Sequence, residues 1–241
     1  MIARTGAARA FPVPRSMHAD YWLDKWADDD IGFHQKEPNK RLVEHWPGLG
    51  IDPETPVFVP LCGKSPDMLW LHERGHPVFG VDLSEIACEA FFTDNRLPFE
   101  RRAMERGVEF TGTGDASGLR LVAGDFFALA EVDTEHVHGV YDRASLIAMP
   151  PELRADYARQ LAHLLPLRTR GLVIVIAYDQ GKMKGPPFSV PDDEVRELLG
   201  GSFELDELSH RAGPDRLGNL AARGLDTLEE RVYGVTRTPR T

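Results

Sequence analysis

Two side chains of opposite charge, Asp82 and Arg143, each close a short apolar run, and the turn Leu61-Cys62-Gly63-Lys64-Ser65 follows another. A carboxylate at Asp82, 19 residues beyond Gly63, can accept both ribose hydroxyls of an adenosine ligand. Gly-Lys-Ser suggests a P-loop, but that motif needs a Gly five residues before Gly63, where Phe58 stands. The dinucleotide fingerprint fails too, because a pyrophosphate needs three glycines to approach the turn and only Gly63 is there. An adenosine ligand without a pyrophosphate fits, which favours S-adenosylmethionine over NAD.

Two further groups follow apolar runs, and Arg143 has more than one reading. Gly124-Asp125-Phe126-Phe127 offers an acid for an adenine amino group and Phe126 for the ring, with Phe127 expected in the core. Arg143 is a fixed cation with five donors, placed where a transferred methyl group is expected. It can hold a methionine carboxylate or an anionic acceptor, or merely pair with Asp142. Gly185-Pro186-Pro187-Phe188 superficially resembles the Asn-Pro-Pro-Tyr of amino-methylating nucleic-acid enzymes. It lacks the Asn and follows the fifth apolar run rather than the fourth, so it predicts a rigid loop bordering the pocket. Cys62 has no His nearby in sequence to activate it and is expected to pack beneath its loop as a buried thiol.

The elements that must hold these groups alternate. Tyr21, Trp22, Leu23 and Trp26 predict a helix from Ala19, ended by Asp28-Asp29-Asp30, and Leu42, Val43 and Trp46 predict a second, stopped by Pro47 and Gly48. Val57–Pro60 predicts a strand, Ser65 caps a helix with Pro66 in its first turn, Pro77–Val81 predicts the next strand and Ser84 starts another helix. Strands are expected at 119–123, 137–141 and 172–178, with helices at 151–165 and 191–199 and two final strands at 203–208 and 227–235. The segment 96–118 is polar and Gly-rich and is expected to leave the core. The fold class is therefore α/β: a Rossmann-like, mostly parallel, seven-stranded sheet with helices on both faces and an antiparallel last strand. Ligands of such sheets bind at the carboxyl ends of the strands, near the switch point.

Composition narrows the function. The 241 residues suffice for one α/β domain, with 42% hydrophobic and 27% charged residues. No apolar run reaches the roughly 20 residues that span a bilayer. A net charge of −10 without any Lys/Arg block argues against nucleic acid as substrate. Two cysteines without metal spacing and no secretory signal point to a cytoplasmic protein. Residues 1–16 carry Arg4, Arg9 and Arg15 and no acid, and are expected to be a disordered tail, with Met17 an alternative start. The remainder, 17–241, is expected to form a single domain whose residues 17–48 make a helical lid. The sequence is silent on oligomeric state; a monomer is the expectation.

In order along the chain stand Met17-His18-Ala19-Asp20-Tyr21-Trp22 with Trp26, Gly32-Phe33-His34, Val59–Ser65, Gly80–Glu85, Gly124–Leu129, Tyr141-Asp142-Arg143-Ala144 and Gly185–Pro191. This ordered set, over roughly residues 17–235, resembles the thiopurine S-methyltransferase family, especially its bacterial members. The resemblance implies cofactor contacts at Trp26, Leu61, Asp82, Phe126 and Arg143, with Trp22 close by, and an acceptor-site aromatic at Phe33. Two departures stand out: the family usually has Glu at Asp82, and residues 210–223 lack its usual pattern near the acceptor. Plant thiol and halide methyltransferases share part of the pattern, which keeps small thiols and selenium or tellurium anions open as acceptors.

The expected chemistry is in-line attack of a thiolate on the sulfonium methyl. It requires no metal and no protein nucleophile; the protein aligns the partners and excludes water. Arg143 favours the thiolate by opposite charge, and Trp22, Trp26 and Phe33 cover the sulfonium with their ring faces. The alternatives are an NAD-dependent oxidoreductase, a non-enzymatic S-adenosylmethionine-binding regulator and a nucleic-acid methyltransferase.

Overall fold

A computed structural model describes residues 15–239. Its helices are α1 (Arg15–Ala27), α2 (Lys40–His45), α3 (Pro66–His72), α4 (Glu85–Asp94), α5 (Glu131–Thr134), α6 (Ser145–Ala148), α7 (Pro151–Leu164) and α8 (Asp192–Leu199). Its strands are β1 (Val57–Pro60), β2 (Val78–Asp82), β3 (Phe99–Met104), β4 (Gly107–Gly112), β5 (Leu119–Ala123), β6 (Gly139–Arg143), β7 (Arg170–Ala177), β8 (Phe203–Gly213) and β9 (Leu228–Arg237). The expectation of a tail at residues 1–16 lies outside the described residues, apart from Arg15 and Ser16, which open α1.

Side chains alternate across each strand, and this alternation divides the core in two. Phe58, Val81, Val140 and Val173 point to one face, against Leu146 of α6, Leu153 and Tyr157 of α7 and Val195 of α8. Val57, Val59, Val78, Tyr141 and Leu172 point to the other, against Leu42, Met68, Leu71, Phe91 and Phe92 of α2, α3 and α4. Fully burying one such aliphatic or Phe side chain contributes about 1.5–3 kcal/mol, so both faces of the sheet stabilise the fold.

The strands lie in the order β3-β4-β5-β2-β1-β6-β7-β9-β8. The five central strands run parallel. From β1 the chain moves outward through β2 to β5, then returns to β6 on the other side of β1. The crevice this reversal opens lies at the carboxyl ends of β1 and β6. The last two strands pair antiparallel as expected, but both are longer than the sequence suggested and carry an irregularity between Glu207 and Ser209.

The sheet of the described residues has nine strands rather than seven. The two extra come from the segment expected to leave the core. β3 and β4 form a hairpin whose second strand pairs antiparallel with β5. One side of the hairpin is solvated, which makes the segment read as polar, while Phe110 is fully buried on the other. Gly107 turns the hairpin at φ +136°, where a Cβ would meet the Ala123 carbonyl at 2.0 Å.

Smaller differences have local causes. The fourth parallel strand begins two residues later than expected, at Gly139, because Val137 closes a turn onto Thr134. Arg143 is thereby the last residue of β6 and pairs with Ile174. The apolar face expected on α1 is narrower: Trp26 is buried and Trp22 half-buried, whereas Tyr21 and Leu23 are exposed. Val43 of α2 is exposed as well. Ser65 and Ser84 cap α3 and α4 with their hydroxyls, Ser65 accepting from Asp67 N and Ser84 from Ala87 N.

Candidate active site at the switch point

The turn after β1 is fixed from two sides. Leu61 takes a left-handed φ of +46° and Gly63 one of +51°. The Gly63 amide donates to Asp82 Oδ2 at 2.8 Å and the Ser84 amide to Oδ1 at 2.9 Å. Asp82, at the end of β2, therefore ties two strand ends together. Burial pushes its carboxyl upward, and the two amides pull it back. Trp26 of α1 lies over the same turn: a Cβ on Gly63 would come within 3.0 Å of its ring. Cys62 is buried beneath, with its sulfur 2.8 Å from where a Cβ on Gly80 would stand.

A cavity of about 150 Å³ opens beside this turn. Trp22, Leu61, Asp82 and Phe126 line it, together with His18 and Asp125. Trp22 Nε1 donates to His18 Nε2 at 3.2 Å, so that nitrogen carries no proton. Burial holds the His18 pKa below its ordinary value, against the pull of Glu152. A larger cleft, about 800 Å³, lies among Glu131, Arg159, His163 and Leu167. Those residues border the amino ends of β6 and β7, the wrong end of the sheet for a ligand of this fold.

Both phenylalanines after β5 border the cavity. Phe126 is a core residue, 4% exposed and stacked on Tyr157 at 4.9 Å, although its edge reaches the cavity. Phe127 is only half-buried and lines the cavity too. Asp125 caps the following turn by accepting from Phe127 N.

Arg143 pairs with Asp67, not with Asp142. Residues two apart on a strand share a face, so Tyr141 and Arg143 both reach across β1 to α3. The Tyr141 hydroxyl and Arg143 Nε donate to Asp67 Oδ2 at 2.9 and 2.8 Å, and Arg143 also donates to Ser65 Oγ at 3.2 Å. The Asn39 amide takes Asp67 Oδ1 at 2.6 Å. Burial works against the Arg143 charge, and Tyr141 and Asp67 more than offset it. Asp142 points to the opposite face, where it is 1% exposed and accepts from the Tyr157 hydroxyl at 2.7 Å. Its Oδ1 has no partner of sound hydrogen-bond geometry, and burial pushes its pKa up to about 6. Ala144 follows in a left-handed conformation, φ +70°.

Phe33 is exposed and stands edge-on to Trp22 and Trp26, with ring centroids 5.3 and 5.6 Å away. The loop that carries it is pinned by Asn219, whose Nδ2 donates to Gly32 O at 2.8 Å. The prolines of 185–188 are held by the Tyr178 hydroxyl on Pro187 O and by Arg223 on Pro186 O. The site-residue candidates thus gather at one end of the sheet, with Arg143 one strand away from the cavity. Sequence reasoning missed Asp67, Tyr141 and Asn219. Tyr141 was within reach, since it shares a strand face with Arg143; Asp67 passed as an ordinary acid in the first turn of a helix.

A profile of the thiopurine S-methyltransferase family matches residues 17–238. The thiopurine S-methyltransferase of Azotobacter vinelandii is 45% identical over 226 residues, 92% of this chain and all of that protein. That of Marinobacter nauticus is 45% identical over 81% of this chain and 87% of its own length. Among crystal structures, the 1,6-didemethyltoxoflavin N1-methyltransferase of Burkholderia thailandensis, with bound S-adenosylhomocysteine, superposes with a TM-score of 0.65 at 18% identity, covering 97% of this chain and 94% of its own. A magnesium protoporphyrin IX methyltransferase from Synechocystis, also with S-adenosylhomocysteine, gives 0.59 at 15% identity, covering 92% of this chain and all of its own. At such identities the structures show the fold alone. The oxidoreductase alternative finds no support in the relatives, and the single glycine of the turn agrees. By its match along nearly the whole described chain, the protein belongs to the thiopurine S-methyltransferase family and is a methyltransferase dependent on S-adenosylmethionine.

Proposed function

We propose that the protein moves the methyl group of S-adenosylmethionine onto the sulfur of a small, thiopurine-like thiol by direct in-line displacement. The observation that carries this reading is the joined pair of strand ends: Asp82 bound to the Gly63 turn, with Trp26 closed over it. The residues present fit the cofactor. Each Asp82 oxygen accepts one backbone hydrogen bond, and an ionised carboxylate has about four acceptor sites, so lone pairs remain for two ribose hydroxyls. Gly63 leaves a space under Trp26 that a Cβ would fill. The cavity of about 150 Å³ is smaller than a whole-ligand pocket of roughly 300–1,000 Å³. It suits the adenosine part, with the remainder along the turn toward Arg143.

When bound, the cofactor supplies an already activated methyl group. The chain's own work is then positioning. Trp22 and Trp26 cover the cationic sulfonium with aromatic surface, and helix α1 acts as the lid. Arg143 supplies positive charge for a carboxylate or for the attacking thiolate. Phe33 offers an exposed ring beside both tryptophans for a flat heteroaromatic acceptor. The net charge of −10 supports a small molecule over nucleic acid as acceptor. Among the described residues no helix is long and apolar enough to cross a membrane. The test is transfer of radiolabelled methyl to thiopurines, aromatic thiols, sulfide, selenite and tellurite. Label on thiopurine sulfur is expected; tight binding of the donor with no labelled thiol overturns the reading.

A further inference from the structure

Helix α1 brings two polar side chains to the cavity beside the Gly63 turn. His18 and Trp22 stand one turn apart on the same face of the helix, and both line that cavity. Trp22 Nε1 donates to His18 Nε2 at 3.2 Å, and the two rings meet edge-on with centroids 6.2 Å apart. An indole nitrogen can only donate. His18 Nε2 must therefore accept, and the proton of the neutral imidazole stands on Nδ1. Burial, opposed by Glu152, holds the His18 pKa below its ordinary value, which keeps the ring neutral at physiological pH.

The other polar side chains that line the cavity are both carboxylates, Asp82 and Asp125. Asp82 accepts from the amides of Gly63 and Ser84, and Asp125 from that of Phe127. An ionised carboxylate offers a ligand nothing but acceptor sites. The indole proton of Trp22 is spent on His18. Among the described side chains around the cavity, His18 Nδ1–H is therefore the one donor left for a ligand. An adenosine needs partners of both kinds. Its ribose hydroxyls and its amino group can donate, and the two carboxylates suit them. Its adenine ring nitrogens only accept, and of these side chains His18 alone suits them.

On the reading that places the adenosine part of the cofactor in this cavity, we infer that His18 is a cofactor-binding residue whose Nδ1–H donates to a ring nitrogen of the adenine. Trp22 fixes the tautomer that this contact requires, so the two side chains work as a unit. Trp22 covers the ligand with its ring, and His18 holds the base. Helix α1 thereby ties closure of the lid to recognition of the nucleoside. The ligand class is a purine nucleoside that presents a ring acceptor to the lid.

The experiment uses the unequal reach of two amides. Glutamine ends at the ε position, where it keeps an acceptor for Trp22, and has no donor at the δ position. Asparagine keeps a donor at the δ position and gives up the acceptor. Binding of S-adenosylhomocysteine and of 5′-methylthioadenosine, which lacks the amino-acid part, is measured by competition against labelled S-adenosylmethionine. One neutral hydrogen bond is equivalent to roughly 3–10-fold in affinity. His18→Gln should weaken both ligands by about that factor, and His18→Asn by about twofold or less. Losses that are equal in the two variants or larger for His18→Asn mean that His18 only holds Trp22, and they overturn the assignment. Unchanged affinity in His18→Gln overturns it too, as does a loss confined to S-adenosylhomocysteine. Should either variant fail to fold, the wild type decides. Adding S-adenosylhomocysteine should shift the His18 Nδ1 proton in nitrogen-edited NMR, and a signal left where it was overturns the assignment. Asp82→Ala separates the two levels. If it also leaves affinity unchanged, the adenosine lies elsewhere and His18 falls with the cavity; if it weakens binding and His18→Gln does not, His18 alone falls.

Discussion

Replacing Asp142 by asparagine should make the protein more stable near neutral pH, and the gain should shrink as the pH falls. The Asp142 carboxyl is buried between β6 and α7, and only Oδ2 has a sound partner, the Tyr157 hydroxyl at 2.7 Å. Burial is the main cause that raises its pKa from 3.8 to about 6; the hydroxyls of Tyr157 and Ser145 and the amides of Leu146 and Ser145 pull the other way. The folded state therefore binds this proton more tightly than the unfolded chain does. The associated stability is fully present below the unfolded pKa of about 3.8 and is lost as the pH rises through about 6. At about 1.36 kcal/mol per pKa unit, the buried charge costs about 3 kcal/mol near pH 7.5 and about half that near pH 5. Asparagine keeps an acceptor for Tyr157 and removes the charge. Its amide group needs a partner in turn and takes back about 1 kcal/mol. The net expectation is a gain of about 2 kcal/mol near pH 7.5. At about 2–4 °C per kcal/mol for a chain of this size, Tm should rise by roughly 4–8 °C. Thermal unfolding of both proteins at the two pH values is the assay. A variant equally stabilised at both, or destabilised near pH 7.5, would refute the claim that an ionised, poorly partnered carboxylate is held there.

Asp82→Ala should weaken S-adenosylmethionine binding about ten-fold or more, since hydrogen bonds to charged groups contribute about 1.5–3 kcal/mol each; unchanged affinity by calorimetry in a folded variant removes Asp82 from the site. Arg143→Lys should mainly raise KM for the donor if the guanidinium fork holds the methionine carboxylate, and should lower kcat in step with acceptor pKa if it holds the thiolate. If Arg143→Lys and Arg143→Ala both match the wild type in every parameter for two thiols, Arg143 only anchors Asp67. A chain beginning at Met17 keeps His18, Trp22 and Trp26 and should retain both Tm and activity; a large loss of either shows that residues 1–16 contribute.

The parts of the molecule legible in the sequence are those set by neighbours along the chain. Hydroxyl caps at Ser65 and Ser84, Pro66 in a first turn and the continuous apolar runs of β1, β2 and β7 are local, and the structure has them where the sequence puts them. The alternation of strands and helices was enough to place Asp82 and Arg143 at strand ends, and the missing glycines were enough to set a dinucleotide aside. What needed the tertiary structure lies between distant segments. The hairpin 99–112 looked like an excursion because a strand pair with one solvated face is half polar, and only its pairing with β5 shows that Phe110 is core. That Phe126 and Phe127 both border the cavity, Phe126 while stacked on Tyr157 of α7, depends on how α7 packs on the sheet and is not readable from two adjacent phenylalanines. The partner of Arg143 lies 76 residues away in α3, and the loop bearing His34 is held by Asn219, 187 residues beyond Gly32. Local periodicity fixes which face a side chain takes, but what it meets on that face follows from the order in which the strands assemble, and that order is decided by burying both faces of one sheet at once.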